Sequence, residues 1–337
     1  MSTTNTITDV PGILVGQAQD LVAMTGCTVI LCKKGAVGGV DQRGGAPGTR
    51  ETDLLRPMHL VEKIHAVVLA GGSAFGLDAA SGVMHWLEEQ RIGFLTADIK
   101  VPIVSAAVIY DLGVGDSKIR PDAQMGYQAC QDASDKPPRL GNFGAGTGAT
   151  VGKLFGMHQA MKSGIGSASC EVGNGVTVGA LFVVNAFGDV IDPEKNAILA
   201  GARSVTHDKK HPFFADTLAQ MKTFVGKQVV NIASMQNTVI GVVATNARLS
   251  KEEANKVAQM AQDGIARTIR PAHTMFDGDT IFALSTGQKL VNANIIGACA
   301  AEATEQAILS AVRQATSFSN IPSVTDISRS IKTGGKK

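Results

Sequence analysis

Apolar and polar positions follow two rhythms along the chain. Near-continuous apolar runs rich in Val and Ile occur at 27–34 (CTVILCKK), 65–72 (HAVVLAGG), 180–191 (ALFVVNAFGDVI) and 238–247 (TVIGVVATNA), bounded by Gly or Asn. Runs of that length and composition predict strands buried on both faces. A helical rhythm governs 77–90, where Leu77, Ala80, Val83, Met84 and Leu87 share one face. It returns over 250–269, which opens on Ser250-Lys-Glu-Glu253, a capping box, and over the Ala-rich stretch 293–315. A Gly- and Pro-rich stretch at 134–150 and a charged, mixed stretch at 205–237 predict loops. The end, 325–337, finishes in KTGGKK and predicts a frayed tail. No repeat of 20–50 residues is visible, so the pattern is mixed α/β with sheet buried between helices.

Composition narrows the function classes. The 337 residues are 44% hydrophobic and 18% charged, enough for a large core. Thirty-one Lys and Arg against 29 Asp and Glu give +2, too weak a field to hold nucleic acid or an anionic membrane. Aromatics at 4% leave few platforms for stacking bases. The start, MSTTNTITDVPG, lacks the basic and apolar segments of a signal peptide, and no run of about 18 apolar residues predicts a membrane span. A cytoplasmic protein is expected. Five cysteines, at 27, 32, 130, 170 and 299, show no CxxC spacing, which predicts reduced thiols rather than a disulfide framework or zinc site.

Several glycine motifs fail on inspection. GGSAFG at 71–76 lacks the spacing of a dinucleotide loop, although its backbone N–H groups could hold a carboxylate. GAGTGATVGK at 144–153 ends Lys153-Leu154 and so is not a Walker loop. Gly72-Ser73-Ala74 does not complete a nucleophile elbow, and Asp277-Gly278-Asp279 lacks the rest of a calcium loop. The seven histidines, at 59, 65, 85, 158, 207, 211 and 273, show no metal spacing and fit structural or solvated roles.

What survives is a pair of junctions. Asn237-Thr238 stands where the mixed stretch meets a buried strand. Asp277 and Asp279 stand where a turn, FDGD, meets another apolar strand. Paired carboxylates can orient a hydroxyl and an ammonium, and one can carry a proton if the site is dry.

These junctions lie within eight ordered segments: ITDVPGILVGQA, GVDQRGGAPGTRETDLL, VVLAGGSAFGLDAASGV, AAVIYDLG, GTGATVGK, VVNAFGDVID, NTVIGVVATNARLSKEEA and PAHTMFDGDTIFALSTG. Over roughly residues 8 to 316 the chain resembles the L-aminopeptidase/D-esterase family, which includes β-peptidyl aminopeptidases and the endo-type nylon-oligomer hydrolase. The resemblance implies an α-β-β-α sandwich, similar also to ornithine acetyltransferase. It implies one domain over 1–337, made as a precursor that cuts itself between Asn237 and Thr238 into fragments 1–237 and 238–337. Thr238 would then be an N-terminal nucleophile with its own amine as base, whose reference pKa is about 7.7–8.0.

Carried over residue by residue, Asp277 and Asp279 orient the nucleophile, and the Asp/Asp pair matches the nylon-oligomer hydrolase. Asn185 matches an Asn near the nucleophile that can donate to an oxyanion. Lys153 matches a Lys near the site, and Tyr110 a Tyr that can donate to a substrate carbonyl. Asp111 and Asp116 are candidates for recognising a substrate amine. No cofactor and no metal are implied. The expected partner is a small-molecule, short-peptide or oligoamide substrate, with a homo-oligomer, a tetramer of α/β heterodimers, as the assembly. The implied activity is hydrolysis of 6-aminohexanoate oligomers or similar linear amides. An exo-aminopeptidase, an ornithine-type acetyltransferase and a non-catalytic scaffold are the alternatives.

Overall fold

The structure is a computed structural model that describes residues 4–204, 213–223 and 237–327. Most of the loop expected at 205–237, and the tail from 328, lie outside the described residues.

Nine strands join in one hydrogen-bonded sheet: β1 (Leu14–Asp20), β2 (Thr25–Gln42), β3 (Thr49–Arg50), β4 (Lys63–Ala70), β5 (Val104–Val108), β6 (Ile165–Gly173), β7 (Val176–Asn185), β8 (Thr238–Ala247) and β9 (Thr280–Lys289). The order is β6-β7-β8-β9-β2-β4-β5-β3, with β1 also on β2. The 18-residue β2 belongs to both halves. Its first part pairs with β1 and β4, and its second with β9, from Val37↔Ser285 to Gln42↔Thr280. Between them the register with β4 slips after Leu31, where Gly35 takes φ +74°, a conformation that costs glycine little.

The two halves face each other across an apolar layer. Ile30, Val67, Leu69 and Ala107 from one half meet Leu181, Val183, Ile240, Val242, Phe282 and Leu284 from the other. Helices α1 (Ala79–Glu89) and α2 (Ala123–Gln131) cover the outer face of the first half through Val83, Leu87 and Ala129. Helices α3 (Lys251–Thr268) and α4 (Ala293–Gln314) cover the other through Val257, Ile265, Ile296 and Ile308. The result is the four-layer α-β-β-α arrangement, and it explains the unbroken apolar runs. In β8, Ile240 and Val242 face the inner layer while Val239 and Val243 face the helices.

The predicted helices fall where expected. Ser250 caps α3: its Oγ accepts from Glu253 N at 3.2 Å, and Glu253 Oε2 accepts from Ser250 N at 2.8 Å. Helix α4 is long and apolar enough to cross a membrane by length and composition. Its most apolar window is 61% buried against the sheet and α3, as a core helix is. The run at 180–191 is two strands rather than one, because the chain leaves β7 after Asn185 and pairs Asp189–Asp192 with other short strands. Helix α2 had no periodic signal; Asp122 starts it by accepting from Met125 N at 2.9 Å. The five cysteines are free thiols, and burial pushes those of Cys32 and Cys130 up to about 12.

Candidate active site

Strand directions bring the predicted residues together. β8 and β9 are parallel, with Ile240 opposite Thr280, so Thr238 and the Asp277–Asp279 turn lie at the same end of the sheet. β7 is antiparallel to β8, with Asn185 opposite Thr238, so the end of β7 meets the start of β8. Thr238, Asn185, Asp277 and Asp279 are all buried.

The peptide before Thr238 is gripped from two sides. The Thr238 hydroxyl donates to the Asn237 carbonyl oxygen. The same oxygen accepts Gly278 N–H at 3.0 Å. Glycine is needed at 278 by close approach: a Cβ there would lie 2.9 Å from Thr238 Oγ1 and 2.8 Å from the Ala46 carbonyl oxygen. The end of β2 clamps the turn, since Ala46 N donates to Asp277 O at 2.8 Å and Arg43 N to Asp279 O at 3.0 Å.

The two carboxylates are held differently. Asp279 Oδ1 accepts Val239 N–H at 2.7 Å, and Oδ2 accepts from His273 N at 3.1 Å and His273 Nδ1 at 2.9 Å. Asp277 Oδ2 accepts from Thr274 N at 2.8 Å and Thr274 Oγ1 at 2.6 Å. Burial, and then the neighbouring Asp279 charge, push the Asp277 carboxyl up to about 6. The pair therefore has one member closely tied to backbone and one whose proton sits near neutrality.

Lys153 reaches the same corner. Its Nζ donates to Asn185 Oδ1 at 2.7 Å and to Asn185 O at 2.9 Å. Burial pushes this ammonium down to about 7, against the opposing pull of Asp277 and Asp111. Asn185 Oδ1 also accepts Thr150 N–H at 3.1 Å, and its Nδ2 donates to the Tyr110 carbonyl oxygen at 3.0 Å. The half-buried Tyr110 thus joins the corner through its main chain. The arrangement gathers a hydroxyl, an ammonium, two carboxyls and a polarised carbonyl, the parts of an acyl-transfer site.

One sequence expectation changes. Asp111, a candidate for recognising a substrate amine, is closed off. It is buried, with Oδ1 accepting Gly72 N–H at 2.7 Å and Oδ2 accepting the Thr25 hydroxyl at 2.7 Å. The GGSAFG loop does hold a carboxylate, and it is this one. Asp116 is exposed in a turn, where it accepts from Lys118 N. His273, expected to be structural or solvated, is bonded to Asp279. Sequence reasoning also missed Gly278, Thr274 and Thr150; the signal for the first two was their place in PAHTMFDGD, beside the acidic pair. Among the described residues no group of three or more His, Cys, Asp or Glu could hold a metal ion.

Known proteins agree with this architecture. The profile of peptidase family S58 matches residues 5–323. An uncharacterized aminopeptidase of Mycobacterium leprae is 42% identical, over 94% of this chain and 92% of its own length. A 6-aminohexanoate-oligomer endohydrolase of Kocuria sp. is 32% identical, over 90% of this chain and 85% of its own. Among solved structures, an L-aminopeptidase D-Ala-esterase/amidase of Ochrobactrum anthropi, described as a variant of the Ntn hydrolase fold, superposes with a TM-score of 0.70 at 20% identity, covering 98% of this chain and 94% of that one. A Burkholderia β-aminopeptidase gives 0.67 at 21%, covering 100% and 96%. The chain belongs to peptidase family S58, the group its sequence resembles, and is an amide-bond hydrolase.

Proposed function

We propose that this S58 peptidase processes itself between Asn237 and Thr238 and then hydrolyses linear amides, such as 6-aminohexanoate oligomers, with Thr238 as nucleophile. The observation that carries the reading is the shared carbonyl: Asn237 O accepts both the Thr238 hydroxyl and Gly278 N–H. The hydroxyl thus sits against the carbonyl group it must attack, and the Gly278 donor faces the oxygen on which charge develops.

In the first step Thr238 Oγ1 bonds to the Asn237 carbonyl carbon. The Asn237–Thr238 C–N bond breaks, and the hydroxyl proton passes to the departing nitrogen. Water opens the resulting ester, leaving a carboxylate on Asn237 and a free amine and hydroxyl on Thr238. In turnover that amine takes the hydroxyl proton as Oγ1 attacks a substrate amide. The substrate C–N bond breaks as that proton passes to its nitrogen, the amine product leaves, and water releases the acid from the acyl-enzyme. Lys153 is suited to offset oxyanion charge, and Asp277 and Asp279 to hold the Thr238 amine and strand in place.

The cut need not release the pieces. β8 buries Val239, Ile240, Val242 and Val243, which together contribute on the order of 10 kcal/mol. We expect the α/β pair to stay joined and to assemble further as a homo-oligomer.

Intact-mass measurement of purified protein tests the reading. It should show pieces of about 24.5 and about 10.4 kDa by length, the smaller beginning at Thr238. An uncut chain that hydrolyses amides would sink it. The names of the mycobacterial relatives favour a second reading, an aminopeptidase that removes terminal residues. Product analysis on a 6-aminohexanoate oligomer separates internal from terminal cleavage.

A further inference from the structure

We propose that His273 is a positioning residue of this site: its Nδ1–H fixes the Asp279 carboxylate, which in turn anchors the start of β8 and so aims Thr238. The proposal rests on Thr238 being the nucleophile.

Two donors of one residue converge on one oxygen. His273 N and Nδ1 lie 3.1 and 2.9 Å from Asp279 Oδ2, while Asp279 Oδ1 takes Val239 N–H at 2.7 Å. Val239 N–H is the first strand donor after the nucleophile. The path from imidazole to Thr238 is therefore one side-chain hydrogen bond, one carboxylate and one backbone hydrogen bond.

A carboxylate acceptor requires the hydrogen on Nδ1. Nε2 is buried and has no hydrogen-bond partner among the described residues. The ring is thus oriented by its Asp279 bond and not by a bond on its other side. His273 also sits at φ +57°, in the left-handed region where His, Asn and Asp are enriched among non-glycine residues. Asp279 is 2% exposed and His273 19%, so water competes little for the bond.

The test uses His273→Ala, His273→Asn and His273→Gln in the full-length chain. An Asn amide reaches the position of Nδ1 and tolerates the left-handed backbone. A Gln amide reaches towards Nε2 instead. Self-cleavage half-time is read by intact mass, and kcat and KM of the matured protein on a 6-aminohexanoate oligomer.

His273→Ala should slow self-cleavage and lower kcat about tenfold or more, the effect of losing one hydrogen bond to a charged group, with KM within about twofold. His273→Asn should return both to within about threefold of wild type, and His273→Gln should not. If the Ala variant does not fold, the Asn-to-Gln contrast decides. The proposal is overturned if His273→Ala matches wild type, if the loss lies wholly in KM, or if Asn and Gln behave alike. Thr238→Ala run alongside separates the two ideas. An inactive Thr238→Ala with a wild-type-like His273→Ala removes only the role of His273, whereas an active Thr238→Ala removes the nucleophile assignment itself.

Discussion

Two turns in this molecule each bury a carboxylate against a backbone N–H, and only one of them borders the bond proposed to be cut. At the Gly71-Gly72 turn after β4, Asp111 takes Gly72 N–H at 2.7 Å. At the Asp277–Asp279 turn before β9, Asp279 takes Val239 N–H at the same 2.7 Å. Both aspartates are about 1–2% exposed. The difference lies in what the anchored backbone carries. Gly72 leads through Ser73–Asp78 into α1, and Asp111 has its other oxygen closed by Thr25. Val239 follows a hydroxyl that already touches a carbonyl, and beside Asp279 stands a second carboxyl that burial makes hold its proton more tightly. Burial and hydrogen bonding alone therefore mark a brace as readily as a site. A hydroxyl set against a carbonyl, and a second carboxyl pushed up by burial beside the first, tell them apart.

The largest expected effect falls on the reactive side. Thr238→Ala removes the hydroxyl both steps need, so it should leave a single uncut chain by intact mass and lower hydrolysis by about 10³-fold or more. Thr238→Ser, which keeps the hydroxyl, should still cut.

Next, Asp279→Asn and Asp111→Ala should fail in different ways. The first should slow self-cleavage about 10–100-fold and also cost about 1–3 kcal/mol, because the amide gives up the charge and turns its NH2 on either Val239 N–H or the two His273 donors. The second leaves Gly72 N–H and the Thr25 hydroxyl buried and unpaired, and should cost about 2–4 kcal/mol in denaturant unfolding. If Asp111→Ala stops cutting while its stability is unchanged, the contrast between the two turns collapses.

Gly278→Ala is a smaller probe of the same corner. Its Cβ would press on Thr238 Oγ1 and the Ala46 carbonyl, and should slow self-cleavage about tenfold with modest destabilisation. A wild-type half-time would mean that the close approach at 278 is irrelevant to the cut.

The smallest effect is a pH slope. The Asp277 carboxyl rises from 3.8 to about 6 on folding, so the fold binds its proton more tightly than the unfolded chain does. That contribution to stability is fully present below about pH 4 and is lost as pH rises through about 6. In an uncut Thr238→Ala background, adding Asp277→Asn should flatten the fall between pH 4 and 6 by about 1–3 kcal/mol. Asp111 and Asp189, whose carboxyls are also pushed up by burial, remain in both proteins and cancel in the difference.

Much of this was legible in the residues. The run TVIGVVATNA could be read as a doubly buried strand because Ile240 and Val242 serve one core layer and Val239 and Val243 another. The Ser250–Glu253 box announced the start of α3 because its signal is wholly local. Asp277 and Asp279 were visible as a pair. Their unequal footing was not, because it depends on how the turn folds His273 and Thr274 back onto the pair and on Val239, 40 residues away, meeting Asp279. Asp111 could be noticed beside Tyr110, but its fate was set by Gly72 and Thr25, 39 and 86 residues away.

By itself, the order of residues determined the alternation of apolar strands and helices, the family likeness, and a short set of polar groups able to do acyl chemistry. Those follow from local periodicity, capping and residue type, which need no partner distant in the chain. Only the tertiary structure decided which groups meet. The parallel pairing of β8 with β9 and the antiparallel pairing with β7 bring Thr238, Asp277, Asp279 and Asn185 to one buried corner, and Asp111 is drawn away to close a glycine turn. The physical reason is that hydrogen-bond partners and desolvation, which set orientation and proton affinity, are properties of neighbours in space.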